Sequence, residues 1–243
     1  MKLITLNTWG IHKPYEKRLL LLQKELLKLN ADAVCLQEVF SPDQENRIKQ
    51  NTPFIYSYHV HTAGLVILLK KPFLEARELK YKSISKMDLN DRRAIFVKID
   101  FGKEPLWVGN THLAWKGADE STRVGQTEEL AHALKQLGNF SIIAGDFNAG
   151  PDSPSAQQLK QAGFIDLFDS LHPGKEVYTW DNNKNPYLKT HSVIFPNRRI
   201  DLILASKKLF QKIKIKSCDL AFTQMDSEGN LPSDHFGVVT EFN

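Results

Sequence analysis

Ser141-Ile142-Ile143-Ala144-Gly145-Asp146-Phe147-Asn148 reads as a buried strand that ends on a polar cluster. The run is apolar, β-branched and strand-sized, and a turn follows at Asn148-Ala149-Gly150-Pro151. Asp146 and Asn148 are two residues apart, so in extended backbone they point the same way. The carboxylate can accept a proton or hold a nucleophilic water, and the carboxamide can donate an N–H to a phosphoryl oxygen. Asp and Asn also cap turns for purely local reasons. The motif gains weight because the same design recurs along the chain.

Leu3-Ile4-Thr5-Leu6 runs into Asn7-Thr8-Trp9, Ala33-Val34-Cys35-Leu36 into Gln37-Glu38, and Leu106-Trp107-Val108-Gly109 into Asn110-Thr111-His112. Ser233-Asp234-His235 leads into a last strand. Strand ends of this kind can gather at one end of a sheet. A carboxylate at such an end, as at Glu38, suits a hard cation; Mg²⁺ takes oxygen ligands and keeps several waters. Imidazole titrates near neutral pH, which makes His235 a candidate general base. Asp201, flanked by Ile200 and Leu202, is expensive in a strand unless paired, and it is the candidate to orient His235. His112 suits a phosphate oxygen or the protonation of a leaving group. The set suits a divalent metal and a phosphate.

Between these strands lie helices. Leu19, Leu22, Leu26 and Leu29 recur at helical spacing between Pro14 and Asn30, with Asn30 as C-terminal cap. Ser41-Pro42 and Ser153-Pro154 each read as an N-cap with proline at the first helical position, the second helix stopping at Gly163. Arg123 to Leu137 is a further helix. Ala94–Ile99 and Lys212–Lys216 alternate with period two, which predicts one wet face for each. Short connections between Gly64–Leu69, Ala94–Ile99 and Leu106–Asn110 predict antiparallel pairing among them. The expected fold is α/β (α+β): a single domain over 1–243, built as a four-layer sandwich of two mixed, mainly antiparallel β-sheets face to face with helices outside.

At 243 residues the chain can bury a large core without staples. Its 2 cysteines exclude a disulfide scaffold; Cys35 and Cys218 read as reduced core thiols. No signal peptide is visible and no apolar run approaches membrane-spanning length, so a cytoplasmic protein is expected. A net charge of +4 is compatible with phosphate-bearing partners but too weak to name nucleic acid.

The ordered set Asn7, Gln37-Glu38, Thr111-His112-Leu113, Gly145-Asp146-Phe147-Asn148, Arg199-Ile200-Asp201 and Ser233-Asp234-His235 resembles the endonuclease/exonuclease/phosphatase superfamily, the DNase I-like fold. Each motif alone is weak; their order across nearly the whole chain is specific. The resemblance implies Mg²⁺-dependent phosphoester cleavage, with Mn²⁺ as a possible substitute. It implies Glu38 as principal metal ligand with Asn7 and Asp234 near the metal, Asp146 and Asn148 as catalytic, Asp201 orienting His235, and His112 on the phosphate. Abasic-site endonucleases of this superfamily carry an Asp where this chain has Trp9. The Leu6-Asn7-Thr8-Trp9-Gly10 form instead resembles neutral sphingomyelinases and their bacterial relatives. His112, Arg123, Gln126 and Tyr178-Thr179-Trp180-Asp181 are similar to tyrosyl-DNA phosphodiesterases.

Trp9, Trp115, Trp180 and Arg123 adjoin these motifs and are the candidate substrate-binding residues. An exposed Trp can stack a base or cover a choline cation, but core packing serves equally well. Among the remaining histidines, His12 and His61 are placed nearest a substrate cleft. Lys207, Lys208, Lys212, Lys214 and Lys216 read as a lysine stripe on an edge strand, a device against sheet-to-sheet association. A phosphodiesterase acting on nucleic acid or its adducts is the favoured reading. The alternatives are a phospholipid or inositol-phosphate phosphoesterase and a silent binding protein on the same scaffold. No obligate protein partner is implied.

Overall fold

The computed structural model describes residues 1–138 and 140–243. The first half of the chain forms β1 (Lys2–Asn7), α1 (Tyr15–Leu29), β2 (Ala33–Gln37), α2 (Pro42–Lys49), β3 (Tyr56–Val60) and β4 (Leu65–Leu69). It continues with β5 (Glu75–Lys80), β6 (Arg93–Ile99) and β7 (Leu106–His112). The second half forms α3 (Glu120–Leu137), β8 (Ser141–Asp146), α4 (Pro154–Gln161), β9 (Phe164–Asp166) and α5 (Leu167–Leu171). It ends with β10 (Asp201–Ser206), α6 (Lys207–Lys212), β11 (Ile215–Ala221) and β12 (Gly237–Phe242).

The strands make two six-stranded sheets, ordered β11-β12-β1-β2-β4-β3 and β5-β6-β7-β8-β10-β9. Each sheet has one parallel pair, β1–β2 and β7–β8, and is otherwise antiparallel. Parallel neighbours need a long crossover, which α1 and α3 supply. That arrangement brings Asn7 and Gln37 into register at the end of one sheet, and His112 and Asp146 at the end of the other. Antiparallel β10 starts where β8 stops, so Asp201 lies beside Asp146. Antiparallel β12 starts two residues after His235, opposite the end of β1.

The core has three apolar layers. Leu3, Cys35, Ile67, Val97, Val108, Ile142, Ile203 and Val238 pack between the sheets. Leu19, Leu22 and Leu26 of α1 cover Ile4, Val34 and Leu36 on one outer face. Leu130 and Leu134 of α3 cover Phe96, Ile143 and Leu202 on the other. Each fully buried Leu or Ile contributes about 1.5–3 kcal/mol. β7 and β8 approach so closely that a Cβ on Gly145 (φ +153°) would lie 2.0 Å from the Thr111 carbonyl oxygen. Glycine is therefore what lets Asp146 follow directly after a strand pressed against His112.

The helix signals read from the sequence hold. Asn30 takes the left-handed conformation (φ 50°) and its N–H bonds Leu26 O. Ser41 and Ser153 accept bonds from Gln44 and Ala156 N–H at their N-caps, and Gly163 follows the end of α4 in a left-handed conformation. α3 begins one turn before Arg123, at Glu120.

Three expectations are corrected. β4 does not pair with β6; it lies in the other sheet between β2 and β3, because its two apolar faces suit a central position that loop length alone does not reveal. β6 has no wet face over residues 94–97: Ile95 and Val97 enter the inter-sheet core while Ala94 and Phe96 meet the α3 layer. The lysine stripe is broken, because Ser206 caps a helix over Lys207–Lys212. Lys208 and Lys212 reach Glu104, and only Lys216 lies on edge strand β11, where it meets Glu241.

Candidate active site

Asp146 lines a cavity of about 430 Å³. Its Oδ2 accepts a bond from Asn7 Nδ2 (3.0 Å) and lies 3.3 Å from His112 Nε2 and 3.9 Å from His235 Nε2. Its Oδ1 accepts the Asn148 backbone N–H at 2.9 Å. The amide of Asn7 thereby reaches from one sheet to the other, and its Nδ2 also donates to Glu38 Oε1, on its own sheet, at 3.1 Å. Asn148 Nδ2 donates to Leu113 O (3.1 Å), which fixes its side chain at the cavity wall. Asp201 Oδ2 and His235 Nδ1 are 2.9 Å apart. Thr179 Oγ1 anchors the start of β10 by accepting the Ile200 and Asp201 N–H groups.

Trp9, Glu38 and Asn148 all have left-handed backbone, with φ of 56°, 62° and 51°. None is glycine, and each such residue costs on the order of 1–3 kcal/mol unless its surroundings over-determine it. Arg18 does so for the first. Its buried guanidinium donates to the carbonyls of Thr8, Trp9, Gly10, His12 and Pro232, tying the loop after β1 to the loop before β12. Arg18→Ala would strand these acceptors, so we expect a loss of about 3 kcal/mol or more in unfolding free energy, read by chemical denaturation. A loss below about 1 kcal/mol would show that water replaces the guanidinium freely.

The electrostatics separate the two imidazoles. Burial, aided by the Arg92 cation, pushes His112 down to about 3, so it is neutral. Burial also opposes charge on His235, but the carboxylates of Asp201 and Asp146 outweigh it and raise it to about 10. His235 is therefore held charged at neutral pH, and a charged imidazole has no lone pair free for a water proton, whereas an ionised Asp146 has one. Burial pushes Asp146 up, yet its imidazole neighbours and the Asn7 and Asn148 donors hold it below the usual carboxylate range. With His112 neutral, the charge that does this at pH 7 is on His235. A neutral His112 can take part in hydrogen bonds at the cavity wall.

Glu38 behaves oppositely. Burial, then the nearby Asp234 charge, raises it to about 7. A half-buried carboxylate crowded by Asp234 and Asp146 is a donor set that a divalent cation would relieve, so the residues present fit one. Asp234 approaches His191 Nε2 at 3.0 Å and accepts from Ser233 Oγ.

The cavity walls are aromatic. Trp9 stacks with His12 and His191, with centroids 5.1 and 5.7 Å apart, and Trp180 meets His235 edge-on at 5.1 Å. Trp115 stands at the wall beside Phe195. Two expected residues are not there. Arg123 is buried behind the wall, where it holds the Ala114 and Lys116 carbonyls and Glu120, so it does not face a substrate. His61 turns away to Glu45. Conversely, His191, Arg92 and Arg198 line the cavity. Arg198 lies over Phe195 (4.3 Å), forms no ion pair among the described residues, and its buried Nε has no partner. Its neighbour Arg199 was legible as part of a motif, but Arg199 pairs with Asp166 and Asp169 instead.

Comparisons with known proteins bear on the lineage and the fold. A profile of the Endonuclease/Exonuclease/phosphatase family matches residues 4–235. Among curated proteins, the inositol phosphosphingolipids phospholipase C of Schizosaccharomyces pombe is 30% identical over 205 residues, covering 71% of this chain and 47% of the relative. The carbon catabolite repressor protein 4 homolog 3 of Arabidopsis thaliana is 27% identical over 159 residues, covering 60% of this chain and 34% of the relative. The chain thus spans half the length or less of these curated relatives. TDP2 of D. rerio, solved with a single-strand DNA product, superposes with a TM-score of 0.84 at 23% identity, covering 100% of this chain and 98% of that one. Beta toxin of Staphylococcus aureus superposes with a TM-score of 0.76 at 19% identity, covering 99% of each chain. The structural likenesses establish the fold, and the profile match establishes the lineage: the chain belongs to the endonuclease/exonuclease/phosphatase family, whose members are metal-dependent phosphoester hydrolases.

Proposed function

We propose that the chain hydrolyses a phosphodiester by in-line attack of water on phosphorus. The observation that carries this reading is Asp146 in the cavity lining, its Oδ2 3.3 Å from His112 Nε2 and 3.9 Å from the Nε2 of a His235 that Asp201 holds at 2.9 Å. Asp146 takes the proton of the attacking water. The new P–O bond forms as the ester P–O bond opposite breaks, and the leaving oxygen departs with a proton taken up from the site or solvent. His235, kept charged by Asp201, and the amide of Asn148 stabilise the charge gathering on the phosphoryl oxygens. His112 adds a neutral hydrogen bond. Glu38, with Asp234 and Asn7, would hold Mg²⁺ or Mn²⁺, which supplies charge neutralisation at the phosphate when bound.

A phospholipid substrate is supported by the cavity mouth. Leu89 (91% exposed) precedes Asn90 at the wall, Ile194 (84%) sits between wall residues Val193 and Phe195, and Ile11 (68%) precedes His12. Lys13 follows Ile11 and Lys86 precedes Leu89 closely in the chain. Exposed apolar side chains on separate loops, with lysines close by in sequence, suit the headgroup boundary of a bilayer. Among the described residues no helix is long and apolar enough to cross a membrane. The nucleic-acid reading keeps the aromatic walls, which can stack bases. A panel decides between them: vesicles of sphingolipid or inositol phospholipid against single-stranded DNA, 5′-tyrosyl DNA and RNA, all with Mg²⁺. We expect the vesicles to turn over fastest. Leu89→Asp with Ile194→Asp should lower vesicle hydrolysis roughly tenfold or more while sparing a small soluble phosphodiester, since each buried apolar side chain contributes about 1.5–3 kcal/mol to docking. Turnover of DNA with rim variants silent would favour nucleic acid.

A further inference from the structure

Away from the cavity, α2 and the β3 edge bring a second group of metal-type ligands together. Glu45 on α2 is buried, and its Oε2 is met by two imidazole nitrogens: His59 Nδ1 at 3.0 Å and His61 Nε2 at 2.9 Å. The two rings stack with centroids 4.1 Å apart and planes 17° apart. All three donor atoms lie within 4.8 Å of one another. None belongs to the catalytic set.

We propose that Glu45, His59 and His61 form a binding site for a Zn²⁺-like transition-metal ion. The donor chemistry sets the class of ion. Imidazole nitrogen suits Zn, Cu, Fe and Ni, whereas Mg²⁺ and Ca²⁺ take oxygen ligands. Bonds of about 2.0–2.2 Å at tetrahedral angles separate donor atoms by roughly 3.4 Å. The two contacts need to open by only about half an ångström to meet that spacing. His59 can supply the movement, since its side chain is 47% exposed. That exposure also leaves room for water in a fourth position. The lysine nearby, Lys49, lies on the other oxygen: its Nζ is 3.7 Å from Glu45 Oε1 and donates to Ser57 Oγ, leaving Oε2 to the imidazoles.

The site has a consequence for the cavity. Gln44, the neighbour of Glu45, donates its Nε2 to the Glu38 carbonyl (3.0 Å), and its Oε1 accepts the Phe40 N–H (2.9 Å). An ion clamping α2 to the β3 edge holds the turn that carries Glu38. The inference goes beyond the proposed reaction and does not depend on it.

Zn²⁺ titration calorimetry of chelator-stripped protein in excess Mg²⁺ tests the assignment, with thermal unfolding as a parallel readout. Two variants are compared with wild type: the double variant His59→Ala/His61→Ala, and Asp146→Asn, which alters the catalytic cluster instead. Substituting a partner outside the coordination sphere typically weakens a site about 10–100-fold, so losing both imidazoles should weaken Zn²⁺ binding more than about 100-fold. Asp146→Asn should retain one Zn²⁺ equivalent and the Zn²⁺-induced rise in melting temperature. The single variant His59→Gln, at an exposed position, gives the same loss in direction if the double variant is unstable. Zn²⁺ binding that survives in both histidine variants, or that vanishes in Asp146→Asn alone, overturns the site, as does wild type that binds no Zn²⁺ under these conditions.

Discussion

Asp146→Ala lowers kcat on a soluble phosphodiester by about 10²–10⁴, the usual contribution of a positioned general base, with the fold intact. The expectation rests on position. Among the described residues, no other carboxylate accepts from Asn7 while facing both His112 and His235. Asp146→Asn is the sharper variant, because it keeps the shape while removing the charge and with it the ability to take a proton. The charge pattern also fixes a pH profile. Activity requires Asp146 ionised, so it falls as pH drops through a value below the usual carboxylate range. It requires His235 charged, so it falls again as pH rises through about 10. His235→Ala removes the second limb along with most of the rate. Steady-state kinetics across pH check both, and Asp146→Asn turnover within tenfold of wild type would assign the base elsewhere.

Glu38→Gln raises the Mg²⁺ concentration for half-maximal activity by roughly 100-fold or more, since losing a direct ligand should exceed the 10–100-fold typical of outer partners. In the wild type the metal competes with a proton on Glu38, which titrates near 7. The sign follows: below that value the carboxyl is protonated and Mg²⁺ binds weakly, above it Mg²⁺ binds more tightly. Mg²⁺ titrations at about pH 6 and about pH 8 should therefore differ in the wild type and coincide in Glu38→Gln. An unchanged Mg²⁺ requirement in the variant would remove Glu38 from the metal's ligands.

The strand ends were readable because two physical demands coincide there. A run such as Ile142-Ile143-Ala144 has to be buried, and a carboxylate placed directly after it has to be paired or used. Register then does the rest, since residues that end neighbouring strands meet. Partner choice was harder. β4 is apolar on both faces and suits the centre of either sheet, so its short connections to neighbouring strands misled. The same ambiguity hid the burial of β6. Arg198 and His191 belong to a long loop over residues 181–200, where no periodicity speaks and only tertiary contact brings a side chain to the cavity. Arg18 sits within a helical pattern, where an arginine ordinarily faces water; its five carbonyl partners come from loops the helix merely passes.

Asn7, Glu38 and His235 hang from one sheet, while His112, Asp146 and Asp201 hang from the other. Two pairings that tune the chemistry cross that seam: Asn7 to Asp146, and Asp201 to His235. Turnover is thus a report on the docking of two half-molecules. Under rising denaturant it should fade when the halves part, ahead of any loss of strand signal, and neither half alone holds a working fragment of the reaction.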